Sequence, residues 1–159
     1  MPAAVPQRGR AKKPVPYYAP LVISVHGIRT TGAWQKAFAS AISGSPTKVE
    51  SFDYGVYGLI KFLTPAQNRK MADTYYQWYA ETVKGCPGVD LKQYDQRPSI
   101  VAHSLGSWIV GMAMLKFDDI RFDKIVLAGS ILPTDFDWCT LFARDQVFAV
   151  RNEHSKADP

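Results

Sequence analysis

Ser99-Ile100-Val101-Ala102-His103-Ser104-Leu105-Gly106 is the stretch whose reading decides the fold. A run rich in β-branched residues climbs into a serine flanked by small residues, and an apolar run of helical character follows. That is the layout of a nucleophile elbow. A serine on a sharp strand-to-helix turn has its hydroxyl lifted above the sheet and backbone N–H groups beside it at a helix N-terminus. The positions two before and two after the serine must be small, because strand and helix backbones nearly touch there. They are Ala102 and Gly106, alanine standing where glycine is usual. Ser104 is therefore the candidate nucleophile, and the Leu105 N–H a candidate oxyanion donor.

Toward the N-terminus, Leu21 to His26 is a compact apolar run closing at Gly27, which predicts a strand buried on both faces. Thr31-Gly32 opens a helix whose apolar face holds Trp34, Phe38 and Ile42, and Gly44 and Pro46 stop it. Lys48 to Tyr54 is a second strand, followed by an irregular apolar connection over 56–66. A longer helix is expected from Pro65 to Lys84, with Met71, Tyr75, Trp78, Tyr79 and Thr82 on one face. Helix packing explains most of these aromatics. Tyr76 lies off that face and reads as lid surface, and the aromatic set could also line an acyl pocket.

Toward the C-terminus, Ser99–His103 is the third strand and Leu105–Phe117 a helix apolar nearly all round. Lys124–Gly129 is a fourth strand, Pro133–Phe142 a loop with a helical turn, and Gln146–Val150 a fifth strand that Arg151–Pro159 leaves. This alternation predicts an α/β fold, a three-layer α/β/α sandwich around a mainly parallel sheet of about five strands. In such sheets the ligand site lies beyond the carboxyl ends of the strands. His26-Gly27-Ile28-Arg29, Ser104 and the acid-bearing loops after Gly129 and Val150 all fall there.

The chain has 159 residues, enough for one domain with a substantial core. Its net charge of +5 is mostly a property of residues 1–20, which carry Arg8, Arg10, Lys12 and Lys13, five prolines and no acid. That segment reads as a disordered, solvated tail, and residues 21–159 as the folded domain. The remainder holds 15 basic and 14 acidic residues, without a basic stripe or a nucleic-acid motif, so no nucleic-acid partner is expected. Two cysteines, Cys86 and Cys139, make neither a disulfide framework nor a metal set. No apolar run approaches the roughly 20 residues that span a bilayer. The expectation is a cytoplasmic protein without a transmembrane segment.

A serine hydroxyl needs a base, a group to orient that base, and donors for the oxyanion. The His26-Gly27 turn supplies the second donor through the Ile28 N–H. Losing one such donor typically costs about 3 kcal/mol of transition-state stabilisation. Arg29 is a candidate for binding a substrate carboxylate or phosphate, although pairing with a neighbouring carboxylate is the commoner use.

The Val25-His26-Gly27-Ile28-Arg29 stretch, the Ala102–Gly106 elbow and the strand order together resemble the α/β-hydrolase superfamily of serine hydrolases. The chain is most similar to bacterial α/β hydrolases with a His-Gly-Ile-Arg-Thr start. Their Gly-Ser-hydrophobic-Pro-x-Asp-Phe segment is similar to Gly129-Ser130-Ile131-Leu132-Pro133-Thr134-Asp135-Phe136 here. The resemblance spans residues 20–159. It implies a triad in the order serine, acid, histidine. Asp158 matches the place of the acid, with Glu153 a nearer competitor. The expectation is a superfamily core that lacks the last strand, the histidine after it and the two antiparallel strands that often open the fold. His26 and His103 belong to family motifs, where they orient or pack.

His154 is the one histidine downstream of Ser104. A set Ser104, Asp135, His154 would keep the family's order with both groups one strand inward. Strands lie about 4.8 Å apart, so loops would have to compensate. Asp135 and Asp137 could equally cap the short helix after Pro133.

The resulting expectation is a serine hydrolase acting on an ester, thioester or amide substrate through an acyl-enzyme. The alternative is a non-catalytic or truncated hydrolase-like domain serving as an interaction module. A third reading is a lipid-surface esterase tethered by the basic tail. No cofactor is expected, since neither metal-ligand spacing nor a dinucleotide fingerprint occurs. The last strand is expected to be an exposed apolar edge, open to self-association.

Overall fold

The computed structural model describes residues 19–27, 33–54 and 64–153. The elements in chain order are β1 (Leu21–Val25), α1 (Ala33–Ala41), β2 (Lys48–Phe52), α2 (Pro65–Lys84), a 3-10 turn (Tyr94–Gln96), β3 (Ser99–His103), α3 (Leu105–Lys116), β4 (Phe122–Ala128), α4 (Trp138–Ala143) and β5 (Val147–Glu153). The strands form one sheet in the order β2-β1-β3-β4-β5, and every pairing is parallel. Parallel neighbours need crossover connections, which is why strands and helices alternate along the chain.

Register builds the core. Ile23 lies beside Ile100, which lies beside Ile125; one step further, Val25, Ala102 and Leu127 align, with Phe52 beside Val25. All seven are buried. Alternate residues share a face, so these side chains make one continuous apolar surface. Phe52 meets the fully buried Tyr75 of α2 edge-on at 5.1 Å, and Tyr79 meets Phe122 at 5.4 Å. Helix α2 packs along α3. The all-round apolar character of α3 follows from its burial: Leu105, Ile109, Val110, Ala113 and Met114 are all enclosed. Each of the larger ones, Leu105, Ile109, Val110 and Met114, contributes about 2 kcal/mol on leaving water.

Ser24 alternates with Ile23 and Val25 and faces the other way. There Gln35 of α1 donates to the Ser24 carbonyl (2.9 Å) and hydroxyl (3.0 Å), and the Ser24 and Ser51 hydroxyls pair at 2.8 Å. Mutual hydrogen bonds make this buried polar set tolerable. At the amino end of the sheet, the buried Gln146 amide donates to the carbonyls of Met114 and Phe117 (both 2.9 Å) and Ile120 (3.2 Å), closing the C-terminus of α3.

Helix α2 and strand β3 have the predicted bounds. Strand β5 differs: it runs to Glu153 rather than ending at Val150, because Arg151, Asn152 and Glu153 pair with Val126, Leu127 and Ala128. Polar side chains are compatible with an edge strand whose ladder is satisfied on one side. Glu153 therefore lies in the strand, paired with Arg151, and not in the following loop. Phe148 on this edge is 59% exposed, with its ring 5.2 Å from that of Tyr94. Tyr76 is not lid surface. It stacks on Phe117 at 3.9 Å and donates to Asp119 (2.6 Å), fastening α2 to the end of α3. The segment 1–18, the helix start at Thr31-Gly32 and most of the 56–66 connection lie outside the described residues.

Candidate active site

Ser104 joins β3 to α3 with φ 50° and ψ −120°. An L-residue pays about 1–3 kcal/mol for such a conformation, which persists only where the surroundings impose it. They do so here on three sides. The Ser104 N–H donates to the Ala128 carbonyl at the end of β4 (3.0 Å). The Ser104 carbonyl accepts from both the Ser107 amide (3.0 Å) and the Ser107 hydroxyl (2.6 Å). A Cβ on Gly106 would lie 2.6 Å from the Val25 carbonyl and 2.8 Å from that of His26, so only glycine lets α3 start this close to β1. The Ser104 side chain makes no cap to α3, and no described residue hydrogen-bonds its hydroxyl.

Leu105 is the first residue of α3, so its N–H has no acceptor within the helix. Its side chain is 1% exposed, which anchors that amide to the core. The predicted donor and the predicted nucleophile are thus adjacent and rigid.

The His26-Gly27 segment lies directly against the serine. A Cβ on Gly27 would meet the Ser104 Cβ and the His103 Nδ1 at 2.8 Å each. His26 is buried, with its Nδ1 2.8 Å from the Gly27 carbonyl and its Nε2 3.5 Å from Asp53 Oδ1. Tyr54 stacks on the His26 ring at 4.1 Å and donates its hydroxyl to the His26 carbonyl (2.7 Å). Burial, reinforced by the Asp53 charge, pushes the Tyr54 phenol well above its ordinary pKa, so the donor keeps its proton.

Two further nitrogens belong to this corner. Trp34 meets the His103 ring at 6.1 Å in an edge-on arrangement, and both Trp34 Nε1 and His103 Nδ1 are buried without a hydrogen-bond partner among the described residues. On the other side, the Ser107 hydroxyl accepts from the Ser130 hydroxyl (3.1 Å) and the Ile131 amide (3.2 Å), tying the elbow to the loop after β4.

Asp135 lies on that loop and is exposed. Asp137, not Asp135, caps α4, accepting from the Thr140 amide (2.9 Å) and hydroxyl (2.5 Å). Ile28, Arg29, His154 and Asp158 lie outside the described residues. The residues that sequence reasoning missed are Asp53, Tyr54 and Ser107. Ser107 had a signal, a hydroxyl inside an otherwise apolar helix. Asp53 and Tyr54 had only their position, just past β2 on the edge where the site was expected. Among the described residues no group of three metal-ligating side chains converges, and no helix is long and apolar enough to cross a membrane.

No family model matches the sequence, and no curated protein matches it. Solved structures do. An uncharacterized protein from Bacillus cereus aligns with a TM-score of 0.58 at 12% identity, over 94% of this chain and 57% of its own. Tomato methylketone synthase I, solved in complex with 2-tridecanone, aligns with a TM-score of 0.49 at 17% identity, over 81% of this chain and 47% of its own. The chain thus spans about half the length of these two proteins. The Bacillus cereus protein shares the fold.

Proposed function

We propose that this chain is a serine hydrolase domain of α/β-hydrolase type, a three-layer sandwich that cleaves an ester, thioester or amide through Ser104. The observation that carries the reading is the strained Ser104 backbone at the carboxyl end of a central parallel strand, with its hydroxyl unpartnered among the described residues. Strain of this kind clusters at catalytic positions. The Ser104 oxygen attacks the substrate carbonyl carbon as a base takes its proton. The carbonyl π pair moves onto oxygen, where the Leu105 and Ile28 N–H groups receive it. Collapse of that intermediate expels the protonated leaving group and leaves an acyl-serine, which water hydrolyses.

Two arrangements would supply the base. In one, Asp135 orients His154; in the other, Asp158 orients a histidine of a longer protein. Arg29 would hold an anionic group of the substrate beside the oxyanion loop. The two free cysteines are in keeping with a reducing, cytoplasmic setting. The exposed Phe148 edge of β5 would serve self-association.

Labelling with a fluorophosphonate probe, beside Ser104→Ala, tests the reading. Labelling that depends on Ser104 supports it, and folded protein that never labels sinks it. His154→Ala separates the two arrangements: a loss of several orders of magnitude selects the Asp135–His154 pair, and a modest loss excludes it. The second reading, a hydrolase-like interaction module, is favoured by the same unpartnered hydroxyl, since no described histidine reaches it.

A further inference from the structure

Large apolar side chains stand exposed at two places among the described residues. Tyr94, Phe142 and Phe148 gather around Asp145 at the amino end of the sheet. Ile131, 41% exposed, stands at the carboxyl end, on the loop that leaves β4 beside the elbow. Resting on the serine hydrolase reading, we propose that Ile131 is a specificity-determining residue. Its side chain is the wall along which the hydrocarbon chain of an acyl group lies, so the substrate is an ester, thioester or amide of an apolar acid.

A lone exposed isoleucine is ordinary on a protein surface. This one is distinguished by how firmly its backbone is held, and to what. The Ser107 hydroxyl donates to the Ser104 carbonyl at 2.6 Å and accepts the Ile131 amide at 3.2 Å, so one oxygen connects the nucleophile's backbone to that of Ile131. The residues on either side are fastened to α3. Ser130 donates its hydroxyl to Ser107 (3.1 Å) and accepts the Leu132 amide (3.2 Å). Leu132 and Phe136 cover Gly111, where a Cβ would lie 2.8 Å and 3.0 Å from them. The turn into this loop is made by Gly129, whose φ of 52° suits glycine. Ser130 and Leu132 are thus spent on the helix, while Ile131 between them is left to solvent at a fixed distance from the serine.

An isoleucine side chain neither donates nor accepts a hydrogen bond. A polar group placed against it would lose water and gain no partner, whereas each methylene that leaves water there is worth about 4-fold in affinity. Because the wall is already in place, little ordering offsets that gain. The acyl group is the part of the substrate that stays on Ser104 through both steps. A contact fixed to the Ser104 backbone therefore acts on it during acylation and again during hydrolysis.

The test measures how three esters slow fluorophosphonate labelling of Ser104: methyl acetate, methyl hexanoate and hexyl acetate. The wild-type chain should hold methyl hexanoate at least about 10-fold more tightly than methyl acetate. Ile131→Asn, similar in size but polar, should cut that ratio about 10-fold, and Ile131→Leu should keep it. A merely structural role would weaken both methyl esters together and leave their ratio unchanged. A wild-type ratio near one, or a ratio that survives Ile131→Asn, overturns the inference while the hydrolase reading stands. So does an Ile131-dependent gain for hexyl acetate in place of methyl hexanoate, which would put the chain on the alcohol side. If the wild-type chain never labels, both readings fall together.

Discussion

Two residues other than glycine adopt positive φ among those described, Ser104 at 50° and Asp145 at 56°. They sit at opposite ends of the sheet and are held in opposite ways. Asp145 precedes β5, and its carboxylate is saturated: Arg97 donates at 2.6 Å, Arg121 at 3.0 Å, and Tyr94 donates its hydroxyl. The Asp145 carbonyl accepts from the same two arginines, at 3.2 Å and 2.6 Å. Ser104 is held through its backbone, and no described residue hydrogen-bonds its side chain, whose Cβ lies against Gly27. A positive φ thus has two meanings. Where the residue's own side chain does the holding, the positive φ belongs to the architecture; where neighbours hold its backbone, the positive φ would, on the proposed reading, present a reactive group.

The same substitution at both positions tests this contrast. Ser104→Gly should abolish probe labelling entirely yet raise stability by about 1 kcal/mol. Glycine relieves the positive-φ strain and returns part of that gain as unfolded-state entropy. Asp145→Gly should act in reverse, lowering the melting temperature while Ser104 labels at its usual rate. It also suits a positive φ but strips the buried Arg97 side chain, 1% exposed, of its carboxylate. Equal signs for the two stability changes would defeat the contrast.

Gly106→Ala comes next, with an expected loss of about 2–3 kcal/mol in chemical denaturation, because the new methyl meets backbone oxygen on β1. Acid titration gives a smaller effect. Hydrogen bonds from Arg97 first, then from Tyr94, lower the Asp145 pKa from 3.8 to about 2. A lowered pKa contributes stability that is complete above the unfolded value and is lost as pH falls through the folded one. Melting temperatures of wild type and Asp145→Asn should therefore converge as pH drops from about 4 toward 2. With 45% of the Asp145 side chain exposed, salt should weaken the difference. The smallest expected change is a slight loss of melting temperature in Asp137→Ala, which removes the cap on α4 and leaves labelling unaltered.

The elbow was legible in the sequence because it is local: a β-branched run, a serine between Ala102 and Gly106, and a helix start are all contiguous. Helix α2 was legible because Met71, Tyr75, Trp78, Tyr79 and Thr82 fall on one face with helical period. The Tyr54–His26 contact was not, since it joins residues 28 positions apart and depends on the β1–β2 register. The extension of β5 was hidden for a related reason. Arg151, Asn152 and Glu153 have polar side chains, and only the partner strand makes them extended. Tyr76 misled because periodicity sees one helix face, while its true partner, Phe117, sits at the end of another helix.

Ser107 carries a consequence for how the molecule opens. Its hydroxyl has one hydrogen to give and room to accept two, and all three places are taken, by the Ser104 carbonyl, the Ser130 hydroxyl and the Ile131 amide. A saturated hydroxyl cannot turn to follow one partner without releasing another. The Ser107 and Ile131 amides, which belong to segments 24 residues apart, should therefore exchange with deuterium at a common rate in one cooperative opening. Ser107→Ala should uncouple them, with Ile131 exchanging first.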